Sequence, residues 1–300
     1  MIYCAAADRQ PEHGQREEIA IATIPLLQRG YANPELLADT DWLAAHPADP
    51  RVRIVDARAP QQYESSHIPG AVNLDGFGSD IPRAANADMA DPQEFERIAG
   101  RVGIDNDMTV VVYDAPSQRM GMVAWTFLYY GHRDVRILDG GFDKWSAEGR
   151  PVSTDMPDYP RTTYVAKSVA EVYCSLADAK AGQGRSDFVF WDTRTPAEYE
   201  GTVSGFGGLP RMGRIPGAVH LEWTELLDPE TKTLKPASEL RQLLESRGIT
   251  PDKEVASYCQ GGARGALAAV VLRILGYDRA RAYPGSFAQW SGQPDTPVER

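Results

Sequence analysis

Cysteine is scarce in this chain: three residues in 300, at positions 4, 174 and 259, with no regular spacing. That excludes a disulfide framework and a zinc site built on thiolates, and no metal is expected. Long apolar runs are missing too. None approaches the roughly 20 residues that a membrane-crossing helix needs. The first thirty residues, polar and mixed in charge, lack the apolar core of a signal peptide. A cytoplasmic protein without a membrane partner is the expectation. Basic residues are in deficit, 31 Lys and Arg against 42 Asp and Glu, for a formal charge of −11. This argues against nucleic acid as the main partner, whereas a small anion responds to the local field and is not excluded.

One of the three cysteines has a distinctive setting. Cys259 follows the apolar run Glu254-Val255-Ala256-Ser257-Tyr258 and opens Gln260-Gly261-Gly262-Ala263-Arg264-Gly265, with an Ala-rich apolar segment, Ala266 to Gly276, next. The order reads as a buried strand, a tight loop and a helix. A thiol there faces loop N–H groups, the positive end of a helix dipole and Arg264, conditions that lower a cysteine pKa and hold an anion. Gly261, Gly262 and Gly265 are expected to let the backbone curl so that the amides from Gln260 through Ala263 to Gly265 converge.

The chain is also written twice. Val52-Arg53-Ile54-Val55-Asp56-Ala57-Arg58, then Tyr63 and His67-Ile68-Pro69-Gly70-Ala71, corresponds to Phe188-Val189-Phe190-Trp191-Asp192-Thr193-Arg194, then Tyr199 and Arg214-Ile215-Pro216-Gly217-Ala218. Val110 to Asp114 aligns with Val255 to Cys259, and Gly140-Gly141-Phe142 with Gly285-Ser286-Phe287. Asp114 and Cys259 are 145 residues apart, a period of duplicated domains and not of a solenoid. Short β-rich runs alternate with helical patterns in both halves, which predicts an α/β fold of two tandem domains, each a parallel sheet flanked by helices. Residues 1–30 read as an N-terminal segment, disordered in part; 31–150 as domain 1; 151–165, with Pro151, Pro157 and Pro160, as a stiff linker; and 166–300 as domain 2. Asp114 stands where domain 2 has Cys259, so only domain 2 is expected to be catalytic. A glycine-rich insertion, residues 201–213, either shapes the entrance to Cys259 or is a surface loop.

These motifs resemble the tandem-domain rhodanese family, sulfurtransferases of the thiosulfate or 3-mercaptopyruvate type, from about Tyr31 to Val298. Tyr63-x-x-x-His67-Ile68-Pro69-Gly70-Ala71 is similar to the family's N-terminal signature. Gly285 to Trp290 resembles the C-terminal one, with Gln289 where the family usually has Glu. The resemblance implies two rhodanese-like domains and sulfur transfer through a persulfide on Cys259, with no cofactor, from a small anionic donor to a thiol or cyanide acceptor. Thiosulfate leads as donor and 3-mercaptopyruvate is the alternative; a non-catalytic sulfur carrier or binding module is the second alternative. A monomer or weak homodimer is expected. Arg264 is assigned to the donor and the persulfide, its other reading being a salt bridge that braces the loop. Arg194 is assigned to the substrate with Asp192 in support. The pair Asp56 and Arg58 repeats them in the half without a cysteine, which favours a structural role.

The loop Gln-Gly-Gly-Ala-Arg matches neither family branch closely, and the arginine that binds donor in both branches falls near Glu198, which offers no cation. A cysteine phosphatase is excluded by spacing: such loops place five residues between cysteine and arginine, and here there are four. His67 is weighed as an acid–base group against a packed, hydrogen-bonded histidine. Cys4 and Cys174 read as ordinary residues, and Trp125, Trp145, Trp223 and Trp290 as core or interface aromatics.

Overall fold

The computed structural model describes residues 24–78, 81, 89, 91–115, 118–205 and 208–300. The β-branched run after Arg51 forms a strand buried along its whole length, as a sheet covered on both faces requires. In chain order the first half contains β1 (Leu37–Ala38), α1 (Thr40–Ala44), β2 (Val52–Asp56), α2 (Pro60–Ser65), β3 (Val72–Asn73), α3 (Pro92–Arg101), β4 (Thr109–Tyr113), α4 (Arg119–Tyr129), β5 (Val135–Leu138) and α5 (Gly141–Ala147). The second half contains α6 (Leu176–Gly182), β6 (Phe188–Asp192), α7 (Pro196–Tyr199), β7 (Val219–His220), α8 (Ala237–Glu245), β8 (Glu254–Tyr258), α9 (Ala263–Ile274), β9 (Ala280–Ala282) and α10 (Ser286–Gly292).

Both sheets are parallel. The first has the order β1-β5-β4-β2-β3 and the second β7-β6-β8-β9. Where the first sheet has β1, the second has a single parallel bridge, Tyr173 to Ala282. In each sheet the chain reverses its direction of travel between the two central strands, and loops beyond the carboxyl ends of such strands are where open α/β sheets bind ligands. Asp114 and Cys259 follow β4 and β8 at those points.

The duplication extends to side-chain detail. The Tyr63 hydroxyl donates to the Ala71 carbonyl at 2.7 Å, and Tyr199 to Ala218 at 2.9 Å. Trp145 Nε1 donates to Pro151 and Trp290 Nε1 to Pro297. The connector is tied to the first domain: Ser153 bridges His67, the Tyr159 hydroxyl donates to the Gly70 carbonyl, and Thr162 bonds the carbonyls of Gly100 and Ile104.

The halves share one core. α4 is buried from Gly121 to Phe127 and α9 along almost its entire length, because each packs against the other as well as on its own sheet. A glycine permits the crossing: a Cβ on Gly121 would lie 2.6 Å from Leu267 Cα, closer than real Cβ atoms come. The apolar cluster formed this way runs from Val55 and Trp125 through Leu267 and Val271 to Ala280. Two smaller clusters cover the outer faces, one around Tyr63 and Tyr113 and one around Phe190 and Tyr258.

Candidate active site

Cys259 is 2% exposed at the mouth of the loop between β8 and α9. The helix begins at Ala263, three residues before the apolar segment suggests, because Gly262 (φ +104°) turns the chain straight into its first turn. That puts Arg264 on the helix and aims its early N–H groups back at the sulfur. The Gly262 N–H donates to Sγ at 3.0 Å, and the N–H groups of Gly265 and Arg264 also act on it. Burial pushes the Cys259 thiol up; the Arg264 charge, followed by these amides, outweighs it and holds the thiol below its ordinary value. The setting therefore favours the thiolate, the form that attacks.

The loop glycines serve different ends. Gly262 supplies a left-handed turn, and Gly265 supplies room, since a Cβ there would lie 2.8 Å from Tyr258 Cα. Gly261 has neither duty, and its Cβ would meet open space. Beneath the loop, Cys259 is anchored on both sides: its N–H donates to Ser286 Oγ at 3.1 Å and its carbonyl accepts from Phe287 N–H at 2.9 Å. The Gln260 carbonyl accepts from Ala288, and its side chain turns to the insertion, where Gly205 sits against Gln260 Oε1. Ala263 is buried at the start of α9.

Arg264 makes the salt bridge that the sequence offered as its other reading, and it also acts on the cysteine. It lowers the thiol, and it pairs bidentately with Glu198, Nη1 to Oε2 at 2.6 Å and Nη2 to Oε1 at 2.8 Å. Burial raises the Glu198 carboxyl, but Arg264 and the Thr195 N–H and hydroxyl bring it to about 2. The sequence treats Glu198 only as a missing cation. Its place as the arginine's partner depends on the β6–α7 turn reaching the β8–α9 loop, 66 residues away in the chain, and no local pattern signals that.

Arg194, assigned to the substrate from sequence, is turned into the fold. It is 1% exposed, with Nε and Nη2 on Asp192 at 2.6–3.1 Å and Nη2 also on the Gly213 carbonyl at 2.8 Å. Its guanidinium lies 4.3 Å from the centre of the Phe287 ring. Asp192 also accepts from Tyr258 Oη, and Asp56, Arg58 and Tyr113 repeat the set beside Asp114. The pair is buried inside the fold, with Nε and Nη2 of Arg194 taken up by Asp192 and the Gly213 carbonyl.

The Asp114 carboxylate accepts from the Met120 N–H at 3.1 Å, so in domain 1 a fixed carboxylate takes the helix amide. His67 is fully buried, stacked on Tyr63, with its ring nitrogens on the carbonyls of Tyr63 and Asp155. It ties the linker down and does not reach the sulfur. Cys174 is buried and inert, its thiol pushed up to about 12 by burial. Cys4 falls outside the described residues. All four tryptophans singled out are buried. The insertion is pinned by Arg211, whose guanidinium donates to the carbonyls of Trp290, Ser291, Gln293 and Thr296. Among the described residues no cluster of side chains could hold a metal, and no helix is long and apolar enough to cross a membrane.

A duplicated parallel α/β domain with an activated cysteine at the end of a central strand in only one copy defines a class of single-site, two-domain sulfurtransferase. Residues 39–148 and 175–293 both match the Rhodanese-like domain, and the chain belongs to the rhodanese family. It is 36% identical over 285 residues to the sulfur carrier protein TtuD of Thermus thermophilus, covering 90% of this chain and 99% of that one. It is 33% identical over 274 residues to a thiosulfate sulfurtransferase of Azotobacter vinelandii, covering 90% and 98%. Among solved structures, the anaerobic ergothioneine biosynthesis enzyme of Chlorobium limicola superposes with a TM-score of 0.81 at 25% identity, over 89% of this chain and 71% of that one. The two rhodanese domains, the parallel sheets and the sulfurtransferase family expected from the sequence are all found.

Proposed function

We propose that the protein transfers sulfane sulfur from thiosulfate to cyanide or a thiol through a persulfide on Cys259. The observation that carries this reading is the thiolate cradle: a buried sulfur met by the amides of Gly262, Arg264 and Gly265 and by the Arg264 charge. The thiolate attacks the outer sulfur of thiosulfate. A new S–S bond forms at Cys259, the old one breaks, and its electron pair leaves on sulfite. Attack by cyanide on the outer persulfide sulfur then forms thiocyanate and returns the Cys259 thiolate. The same amides that hold the thiolate hold the terminal sulfur of the persulfide, as an oxyanion hole does. Arg264 stabilises both anions, the loop from Gln260 to Gly265 shapes the cradle, and the Asp192–Arg194 pair braces it from behind. Thiosulfate as donor is supported by the names of several relatives at 30–33% identity.

A second reading, a carrier that keeps the persulfide for a protein acceptor, is supported by the relative named a sulfur carrier. Steady-state transfer to cyanide from thiosulfate and from 3-mercaptopyruvate, compared by kcat/KM, tests the first. A clear preference for thiosulfate is expected. Preference for 3-mercaptopyruvate would replace the donor, and stoichiometric loading of Cys259 without turnover would favour the carrier.

A further inference from the structure

The charges set around Cys259 do not suit a dianion. Among the described residues Arg264 is the charged side chain that acts on the sulfur, and Glu198 pairs with both of its terminal nitrogens. Glu198 is 5% exposed and ionised at neutral pH. It is held from the other side as well, where Oε2 accepts the Thr195 N–H at 3.1 Å and the Thr195 hydroxyl at 3.0 Å. The carboxylate is therefore held in place between Arg264 on one side and Thr195 on the other. Thiolate, guanidinium and carboxylate sum to one negative charge, and thiosulfate adds two more.

We propose that Glu198 sets donor selectivity: by neutralising Arg264 it turns the Cys259 site away from dianionic thiosulfate and toward sulfane donors carrying a single negative charge, of which organic thiosulfonates are the simplest class. The inference rests on the sulfur-transfer reading above: thiosulfate remains a donor, favoured over 3-mercaptopyruvate, but a poorer one than a singly charged thiosulfonate once intrinsic reactivity is removed. Glu198 does not touch the reacting atoms; it is a positioning residue that works through Arg264. The chemistry is otherwise unchanged. The Cys259 thiolate bonds to the outer sulfur of a thiosulfonate, the sulfur–sulfur bond of the donor breaks, and the electron pair leaves on a sulfinate.

The test compares thiosulfate with methanethiosulfonate, which replaces one thiosulfate oxygen by a methyl group and removes one charge at nearly constant size. For each donor, kcat/KM for transfer to cyanide is divided by its rate constant with free cysteine, which removes intrinsic reactivity. The wild-type ratio is expected to favour methanethiosulfonate. Glu198→Gln keeps the shape and the bonds to Thr195 and should shift the ratio toward thiosulfate by about tenfold, as expected for one unit charge a few ångströms away in a partly screened site, chiefly through KM for thiosulfate. Glu198→Asp keeps the charge and should keep the wild-type preference. Any change in the ionisation of Cys259 itself affects both donors alike and cancels. A ratio unmoved by Glu198→Gln, or a wild-type preference for thiosulfate, overturns the inference and leaves sulfur transfer standing. If neither donor adds a sulfur atom to Cys259 by intact mass, both fall. Should the Gln variant fail to fold, the wild-type ratio decides.

Discussion

Ser286 occupies in domain 2 the place that Gly141 holds in domain 1, and both have left-handed backbones, φ +52° and +58°. Glycine adopts that conformation freely, whereas serine is strained by it. In domain 1 any Cβ at this position would collide with the Asp114 carbonyl. In domain 2 the side chain is present, and its hydroxyl accepts the Cys259 N–H while donating to the Tyr283 carbonyl at 2.9 Å. Strain and hydroxyl occur together only in the copy that has the cysteine.

Substitutions at Ser286 separate the two effects. Ser286→Ala keeps the strain and loses the hydroxyl, so it should destabilise the protein by about 1–2 kcal/mol. Ser286→Gly also loses the hydroxyl but releases roughly 1 kcal/mol of backbone strain, and should unfold close to wild type. Both should lower kcat/KM several-fold, since the cysteine loses its anchor. Thermal unfolding with donor kinetics checks this; an alanine variant as stable and active as wild type would remove Ser286 from the account.

Cys259→Ser should reduce sulfur transfer to background while leaving the melting temperature within a few degrees. Intact mass after donor treatment should show one added sulfur in the wild type and none in the variant. Cys174 should stay unmodified in both, because burial holds its thiol at about 12 and leaves almost no thiolate. Sulfur found on Cys174 would contradict this.

Removing Arg264 should move the ionisation of Cys259 upward. The guanidinium lowers the thiol, so in Arg264→Ala the pH midpoint for alkylation by iodoacetamide should rise, and the rate near neutrality should drop by more than for a surface Arg→Ala control. The variant also leaves Glu198 buried without its cation and should lose about 3 kcal/mol of stability. An unchanged midpoint would reduce Arg264 to a brace.

Acid should act through Glu198. Its folded value of about 2 lies below the ordinary 4.5, so the carboxylate contributes stability that is fully present above about pH 5 and lost as pH falls through 4.5 toward 2. The contribution is about 3 kcal/mol. Melting temperatures measured from pH 7 to pH 3 should fall more steeply in the wild type than in Glu198→Gln. Parallel curves would place the acid sensitivity elsewhere.

The helix crossing offers a steric test. Gly121→Ala drives a methyl group into Leu267 and should destabilise by about 1–3 kcal/mol, with loss of activity as α9 shifts. Gly149→Ala, at φ +67° with nothing within 4 Å, should cost about 1 kcal/mol of backbone strain and leave transfer intact. Equal losses in the two variants would argue against a tight crossing.

Much of the fold could be read from the chain because the repeat is written in residues with fixed structural duties. The Asp–x–Arg pairs follow the central strands, Ile-Pro-Gly-Ala enters the edge strands, and the Tyr63 and Tyr199 hydroxyls find equivalent carbonyls. Cys259 was legible for the same reason, since a thiol between a buried strand and a glycine loop has few other uses. What remained hidden depends on contacts between distant segments. Glu198 meets Arg264 only after β6 and β8 pair, and Arg194 became a substrate candidate because its place at a strand end is visible in sequence while its Gly213 partner is not. The different duties of Gly261, Gly262 and Gly265 are likewise set by backbone angles and neighbours, which the letter G does not record.

The crossing of α4 over α9 at Gly121 makes the interior of each half include the other, so the domain lacking the cysteine is structural ground for the one that has it. Deleting the silent half would strip one face from the helix that begins at the active loop.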